Sequence, residues 1–488
     1  MSLSTISKRL SATSFALELL PLTLKLLPLI AEAGQLIVGF RPGTVTPAAT
    51  HAFENGLWRL LRDIGRVIMQ WRLGDLEAAN LNQAAAEVVL DGNIYRRRES
   101  SPRRLGLATL FGIITFWRLR YEPCDQGVGL TCIFPLEQRL GICAGKATPA
   151  LASRVGMWTA QNTQETVRNL LREEHNVAWS VNTLRKVAAD LSAGLAALTH
   201  QVQVDRVLEL LRQAHDSRGS HRPVLSVGRD GIFVPIVKDT KYREGATATV
   251  AVLDRRGRRL GTVYLGRMPE SGQGTLSRQL TELLTAVLQA WHEPLSRLQY
   301  VTDGGHHPTD YFEKVLRTMP HPHTGQPLDW EWVLDYYHAC LYITKLAEVL
   351  LGKETQAAGA WAAKMRRWLK DKKGGILRVL HSAAAHAWRL EFTEEEKAAY
   401  EEAYNYLHKR QHWMDYWSCR RCGLAIGSGI TEAACKTLFT QRFKQSGHEV
   451  VVGGRPNRRR FTSALDQQAV GQGLRRLPEE VAPSPRAN

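Results

Sequence analysis

Four pieces of residues 223–338 decide how this chain reads: PVLSVGRDGIFVP (223–235), TATVAVLDRRGRRLGTVYL (247–265), LQYVTDGG (298–305) and WEWVLDYYH (330–338). Val224 to Val227 reads as a strand ending at Arg229-Asp230-Gly231, with Ile232 to Pro235 continuing beyond a kink. Thr247 to Leu253 is a second strand, Asp254-Arg255-Arg256-Gly257 a hairpin turn, and Arg259 to Leu265 a third strand. The period then changes. Leu280, Leu283, Leu284, Val287 and Leu288 recur at helical spacing within Leu276 to Trp291. Leu298 to Thr302 is a short strand that ends at Asp303-Gly304-Gly305, and Pro308 opens a helix to about Thr318. Trp330 to Leu334 forms a fifth strand, running into Asp335 and a further helix.

The order βββαβαβ is that of a ribonuclease-H-like α/β fold, in which the first and fourth strands are central neighbours. Asp230 and Asp303 are then expected side by side at one edge of the sheet, although 73 residues separate them. Two adjacent carboxylates with no basic residue between them repel, and a divalent cation relieves that. Hard oxygen ligands and a partly open shell suit Mg²⁺. The third carboxylate is expected from GSGITEAACK (427–436), where Ser428 or Thr431 caps a helix with Glu432 in its first turns. Lys436, Arg442 and Lys444 follow as cations suited to a phosphate backbone. Ala339 to Trp417 is Ala-, Leu- and Trp-rich with helical spacing, and reads as an α-helical insertion into the sheet domain.

The remainder is bounded by composition. The chain has 488 residues, 44% hydrophobic and 23% charged, which excludes wholesale disorder and a peptide-sized scaffold. A net charge of +17 points to a polyanionic partner, nucleic acid before membrane. Seven cysteines, an odd number on a long chain, argue for a reducing compartment, so a cytoplasmic protein is expected. Ser14 to Phe40 is the most apolar stretch, but Glu18, Lys25 and Glu32 interrupt it, and Pro21 and Pro28 are expected to break a spanning helix. Cys124, Cys132 and Cys143, and the lone CxxC of Cys419 and Cys422, lack the paired spacing of a structural zinc site. The histidines at 306, 307, 321 and 323 sit in polar loops and read as surface residues.

Five regions follow: an N-terminal helical region (1–90), a small basic strand-containing module (91–146), a helical region (147–218), the sheet domain (219–447, with the insertion at about 339–418) and a basic tail (448–488) expected to be poorly ordered. In the first, Leu57, Leu60, Leu61, Ile64, Val67, Ile68 and Trp71 form one broad apolar face of a helix running from Phe53 to about Ala84. In the second, the run from Tyr95 to Arg104 carries enough positive charge to follow a phosphate backbone, or is a solvated charge run. In the third, Thr163 to Glu174 and a second helix capped by Ser180 have helix-turn-helix geometry, or are simply two packed amphipathic helices. A recognition helix there would present Asn182, Thr183, Arg185 and Lys186.

Taken in order, VGRDGIFVP, YVTDGGHHPTDYF, VLDYYHACLYI and GLAIGSGITEAACKTLFTQRFKQSG resemble the DDE transposases of bacterial insertion sequences in the ISKra and ISLre groups, relatives of mutator-like elements, over roughly Phe53 to Gly447. The resemblance implies that Asp230, Asp303 and Glu432 are the catalytic triad and hold Mg²⁺, for which Mn²⁺ substitutes. It implies metal-dependent DNA cleavage and strand transfer by a two-metal-ion mechanism, on terminal inverted repeats and target DNA, by a homo-oligomer assembled on DNA and not at a membrane. The family's DxxH signature falls on Asp335 and His338, to which a supporting role is assigned, as a carboxylate–histidine pair on one helix face. The chain departs from the family after Gly447, where a Gly-, Arg- and Pro-rich tail replaces a helical segment. Besides an active transposase, two readings stay open: a silent relative that only binds DNA ends, and a general ribonuclease-H-like nuclease.

Overall fold

The N-terminal apolar stretch forms one helix, α1 (Leu3–Gly39), which runs unbroken through Pro21 and Pro28. This corrects the expected break: the prolines stand seven residues apart, on one face, so their lost hydrogen bonds fall on one side of the helix and need not end it. Leu19–Gly39 is long and apolar enough to cross a membrane. The computed structural model describes residues 3–74, 76, 77, 84–98, 103–124, 131–234 and 243–439. Two compact units divide the chain, Met1–Ala193 and Gly194–Asn488.

In the first unit, α2 (Pro47–Leu73) begins with Pro47 at its first position, and the Thr46 hydroxyl accepts from Ala49 N–H. The helix stops at Gly74, short of the expected Ala84, and of its apolar face only Leu60 is buried, with Leu61 and Ile68 exposed. Strands β1 (Glu87–Leu90), β2 (Asn93–Arg97) and β5 (Tyr121–Pro123) form one sheet, and β3 (Arg103–Thr109) pairs with β4 (Gly112–Arg118) in a hairpin. The basic run is partly neutralised here, because Arg96 pairs with Glu87 at 2.9 Å and Arg98 with Glu122 at 2.9 Å.

Short helix α3 (Pro135–Arg139) leads to α4 (Pro149–Gln161), α5 (Gln164–His175) and α6 (Val181–His215). Between α5 and α6 the chain turns at Asn176, in the left-handed conformation an Asn tolerates. Val167, Leu171, Val177, Trp179, Leu184 and Val187 close a core with α4. The second helix is longer than its pattern suggested: α6 continues past Leu198 to His215.

The second unit is mixed α/β. Its strands are β6 (Val224–Val234), β7 (Arg243–Leu253), β8 (Arg259–Arg267), β9 (Arg297–Thr302) and β10 (Trp330–Leu334), in the spatial order β10-β9-β6-β7-β8. β9 and β10 run parallel to β6, and β7 is antiparallel to it. No kink interrupts β6. All eleven of its residues pair with β7, so Asp230 lies inside a strand and not at its end. The pairing with β9, however, stops at Gly228↔Val301, and the rest of β6 extends beyond that neighbour.

Both faces of the sheet are covered. On one, Leu225, Val227, Tyr300 and Trp332 pack with the latter part of α6, with α7 (Gly274–Ala290) and with the π-helical turn Phe312–Leu316 that follows α8 (His306–Tyr311). On the other, Val224, Val301 and Val333 pack with the insertion, α9 (Tyr336–Leu351), α10 (Gln356–Asp371), α11 (Gly375–Ala387), α12 (Glu394–Lys409) and α13 (Tyr416–Arg421). The last helix, α14 (Gly429–Cys435), is held on that second face through Thr431, whose hydroxyl lies 2.8 Å from that of Thr249 on β7.

Gly228 permits this approach. A Cβ there would stand 2.1 Å from the Thr431 hydroxyl and 3.0 Å from that of Thr249. Gly228→Ala is therefore expected to lower stability by about 1–3 kcal/mol in urea unfolding. Adding Thr431→Ala removes the nearest clash and should recover part of the loss; no recovery would place the cost elsewhere.

Candidate active site

Alternation along the strands sends side chains two residues apart to the same face. In β6 the face that carries Val224 and Gly228 also carries Asp230. In β9, the face of Val301 is that of Asp303, and beyond β10 the face of Val333 is that of Asp335. Register then sets their level. Asp230 and Asp303 each lie two residues past the Gly228↔Val301 pair, while Asp303 and Asp335 each lie one residue past Leu334↔Thr302. Three aspartates thus stand in a row across three parallel strands, on the face that α14 covers.

Each member of the row is held differently. Asp230 accepts from Gly231 N–H at 2.7 Å, and the Cys435 thiol of α14 lies 3.5 Å from its Oδ2. Burial raises its carboxyl to about 6, against the lowering effect of the Gly231 hydrogen bond, and the charges of Asp303 and Glu432 add to the rise. Asp303 accepts from Gly305 N–H at 2.9 Å, and its carbonyl accepts from the Tyr406 hydroxyl of α12 at 2.7 Å. Gly304, at φ +75°, turns the chain where a Cβ would meet Leu334 at 2.7 Å and Arg410 at 3.1 Å.

Asp335 is 1% exposed, and both of its oxygens are used. Oδ1 accepts from His338 N–H at 2.6 Å, capping α9, and Oδ2 accepts from the backbone N–H of Ser428. This corrects the expected carboxylate–histidine pair. The spacing of three residues is that of an N-cap and its third helical position, so the backbone of His338 makes the bond while its ring lies against Tyr342 and Tyr406.

Ser428 takes the N-cap position of α14, yet its side chain makes no cap bond; its hydroxyl donates instead to Glu432 Oε1 at 2.8 Å. Thr431 points into the sheet. The segment leading to Ser428 is sewn to the strand ends at two further points. Gln299 of β9 makes paired bonds to Ala425 at 2.6 and 3.1 Å, and Tyr336 N–H donates to the Ile426 carbonyl at 2.9 Å. Gln299, Tyr406 and Cys435 leave no trace as site residues in the sequence because their partners lie about 100 to 200 positions away. Only Ser428, four residues before Glu432, left a local trace.

Glu432 is exposed on α14, and Lys436, at its C-cap one turn on, is exposed as well. Arg442 and Lys444 lie outside the described residues, as does the 448–488 tail. Among the described residues no three His, Cys, Asp or Glu side chains come together closely enough to hold a metal ion, so Glu432 does not join the aspartates in one ligand group. All seven cysteines are free. In the first unit, Asn182, Arg185 and Lys186 are exposed at the start of α6; Thr183 is half-buried beside Ser180, and Arg185 reaches Gln164 at 3.1 Å. The chain matches no protein-family model and no curated protein.

Two predictions follow from these bonds. The Asp230 pKa in the fold lies above its unfolded value, so ionising it destabilises the protein; the penalty is complete above pH 6 and fades as pH falls toward 4. Asp230→Asn should therefore raise stability by on the order of 2 kcal/mol near pH 7.5, with the gap closing near pH 4. Urea midpoints at both pH values measure it, and an unchanged gap would refute the cause given. Asp335→Ala strands two buried N–H groups and should cost about 2–4 kcal/mol, whereas Asp335→Asn, which keeps an acceptor, should cost less.

Proposed function

We propose that the chain is a DDE-type DNA transposase of the bacterial insertion-sequence kind, cutting element ends and joining them to target DNA on a ribonuclease-H-like domain. The observation that carries this reading is the register of the parallel strands. It sets Asp230 level with Asp303, on the face covered by the helix that bears Glu432. The strand order, with one antiparallel strand beside a parallel trio, supports the ribonuclease-H-like assignment.

The donor set suits a hard divalent cation. Carboxylate oxygens without a neutralising partner, one of them already raised to about 6 by burial and like charge, are what Mg²⁺ or Mn²⁺ relieves. Asp230 and Asp303 would hold it; Glu432, which does not reach them in this structure, would have to turn inward on α14 to become the third carboxylate. Bound there, such an ion would supply the activation of an oxygen nucleophile and the stabilisation of a leaving oxygen in phosphoryl transfer. The chain's own residues do the rest. Asp335 fixes the turn before α14, Ser428 holds Glu432 by its hydroxyl, and Tyr406 holds the backbone at Asp303.

The exposed Asn182, Arg185 and Lys186, with Thr183, are the proposed readers of terminal repeats in a helix-turn-helix, and Lys436 a phosphate contact beside the site. Because element ends come in pairs, the working form is a homo-oligomer on DNA, in the bacterial cytoplasm. A second reading, a relative that binds DNA ends without cutting them, is favoured by one observation: the three carboxylates do not converge as a ligand group.

An excision assay on a donor plasmid carrying the gene's own flanking DNA separates these. Wild type in Mg²⁺ should excise, and Asp303→Ala or EDTA should reduce excision by more than about a thousandfold, the several kcal/mol a catalytic metal contributes. Excision that survives Asp303→Ala would overturn the assignment. A silent wild type that still retards end fragments in a gel would establish the second reading.

A further inference from the structure

Two cysteines at the end of the helical insertion stand apart from the other five. Cys419 and Cys422 are three residues apart, whereas no other two cysteines lie within seven residues of each other. Cys419 is buried in α13, and Cys422, the C-cap of the same helix, is half-buried. The Cys422 N–H donates to the Ser418 and Cys419 carbonyls at 3.0 and 3.1 Å, so the helical turn holds through the pair and sets both side chains on one side. Both pack against the same apolar cluster, and neither carries a bridge.

Their surroundings differ. Arg297, at the start of β9, gives its Nε and Nη2 N–H groups to Glu331 at 2.6 and 2.5 Å, and the same guanidinium lies against the Cys422 sulfur. A fixed positive charge thus stands beside the sulfur that is nearer to solvent. Burial pushes the Cys419 thiol up to about 12; the charges of Asp415 and Glu331 add to the rise and Arg297 opposes it. Cys419 therefore keeps its proton at neutral pH, which leaves Cys422 to attack first. A cavity of about 340 Å³ beside Arg297 and Glu331 reaches Cys419, so neither sulfur is sealed from a small solute.

We propose that Cys419 and Cys422 form a peroxide-responsive dithiol, with Cys422 attacking the peroxide and Cys419 closing the disulfide. In the first step the Cys422 sulfur bonds to one peroxide oxygen and the O–O bond breaks; the thiol proton leaves with the other oxygen as water, and a sulfenic acid remains. In the second the Cys419 sulfur attacks that of Cys422, the S–O bond breaks, and the hydroxyl departs with the Cys419 proton as a second water. Two thiols are oxidised and one peroxide is reduced. Cα atoms three apart in a helix stand about 5 Å from each other, inside the disulfide range, but their Cβ atoms stand about 5–6 Å apart, against the roughly 4 Å a bridge needs. Closure must therefore tighten the end of α13. The chain leaves that point through Gly423 to Ser428, pinned by Gln299, Tyr336 and Asp335, and leads to Glu432. Oxidation thus pulls on the segment that positions Glu432. That effect rests on the reading given under Proposed function; the dithiol itself does not.

The test treats the full chain with hydrogen peroxide, then alkylates and digests it. Trypsin cuts after Arg420 and Arg421, so a bridge joins the peptide ending at Arg420 to the one beginning at Cys422. Wild type should yield that linked pair, and dithiothreitol should release it; this readout needs no variant and so no assumption about folding. Cys419→Ser should stop at a Cys422 sulfenic acid that dimedone captures, and Cys422→Ser should slow oxidation of Cys419 by more than about tenfold. Wild type with both thiols still alkylated after peroxide, or with a sulfenic acid persisting beside an intact Cys419, would overturn the proposal. In the excision assay, oxidised wild type should lose about tenfold in activity and regain it with dithiothreitol, while Cys422→Ser should excise equally with and without peroxide. A bridge that forms without changing excision would overturn its coupling to Glu432. A wild type that never excises would sink the transposase reading and leave the thiol mapping standing, so the two failures read out separately.

Discussion

A single buried carboxylate holds the candidate site in register. Asp335 follows the fifth strand of the sheet, caps the first helix of the insertion with one oxygen, and takes the N–H of Ser428 with the other. A carboxylate so far from water is tolerated because both oxygens meet backbone donors; removing it would leave those donors orphaned instead. From Ser428 the next link is a hydroxyl bond to Glu432, while Gln299 and Tyr336 tie Ala425 and Ile426 just upstream. The position of the last carboxylate thus descends from the sheet through a short chain of named bonds. Helix α14, only seven residues long, could not fix itself by its own hydrogen bonds.

The same region carries an electrostatic conflict. Parallel register brings Asp230 level with Asp303, and the covering helix partly buries the first of them, so one carboxyl is raised to about 6 by lost solvation and like charge. Nothing in the folding of the sheet requires this. Gly231 N–H offsets part of it, and the Cys435 thiol lends a weak donor. A protein that retains such an arrangement gives up stability at neutral pH, which is the pattern expected where charge is assembled for a partner that neutralises it.

How much of this was legible from sequence varies with the range of the interaction. The bounds of Trp330–Leu334 are legible because four apolar and aromatic residues of five, closed by an acidic turn, suffice to specify a strand. The level placement of Asp230 and Asp303 followed from the strand order, with one revision: β6 does not end at Asp230, since its antiparallel partner accompanies it beyond the reach of β9. Local pattern misled where distant packing decides. Helix α6 outruns its apparent end because Val204, Val207, Leu210, Leu211 and Ala214 find the underside of the sheet. The DxxH spacing suggests a side-chain pair, whereas the physics of helix capping makes it a carboxylate on a backbone N–H.

Seen from its ends, the helical insertion is part of the site. It leaves the sheet at Asp335 and returns at Ser428, and one carboxylate ties those two points together. Loop-closure entropy grows only with the logarithm of length, so 93 positions of helical chain between fixed ends add little to the cost of closing a short link. What the insertion contributes in return is reach. Tyr406, about three-quarters of the way through it, comes back to hold the carbonyl of Asp303, while Arg410 lies over the Tyr406 ring and donates to the Gly304 carbonyl. The strand end bearing Asp303 and the turn leading to Glu432 are therefore both positioned by groups at or within the insertion. Loss of its packing would loosen the aspartate and the glutamate together, although neither belongs to it.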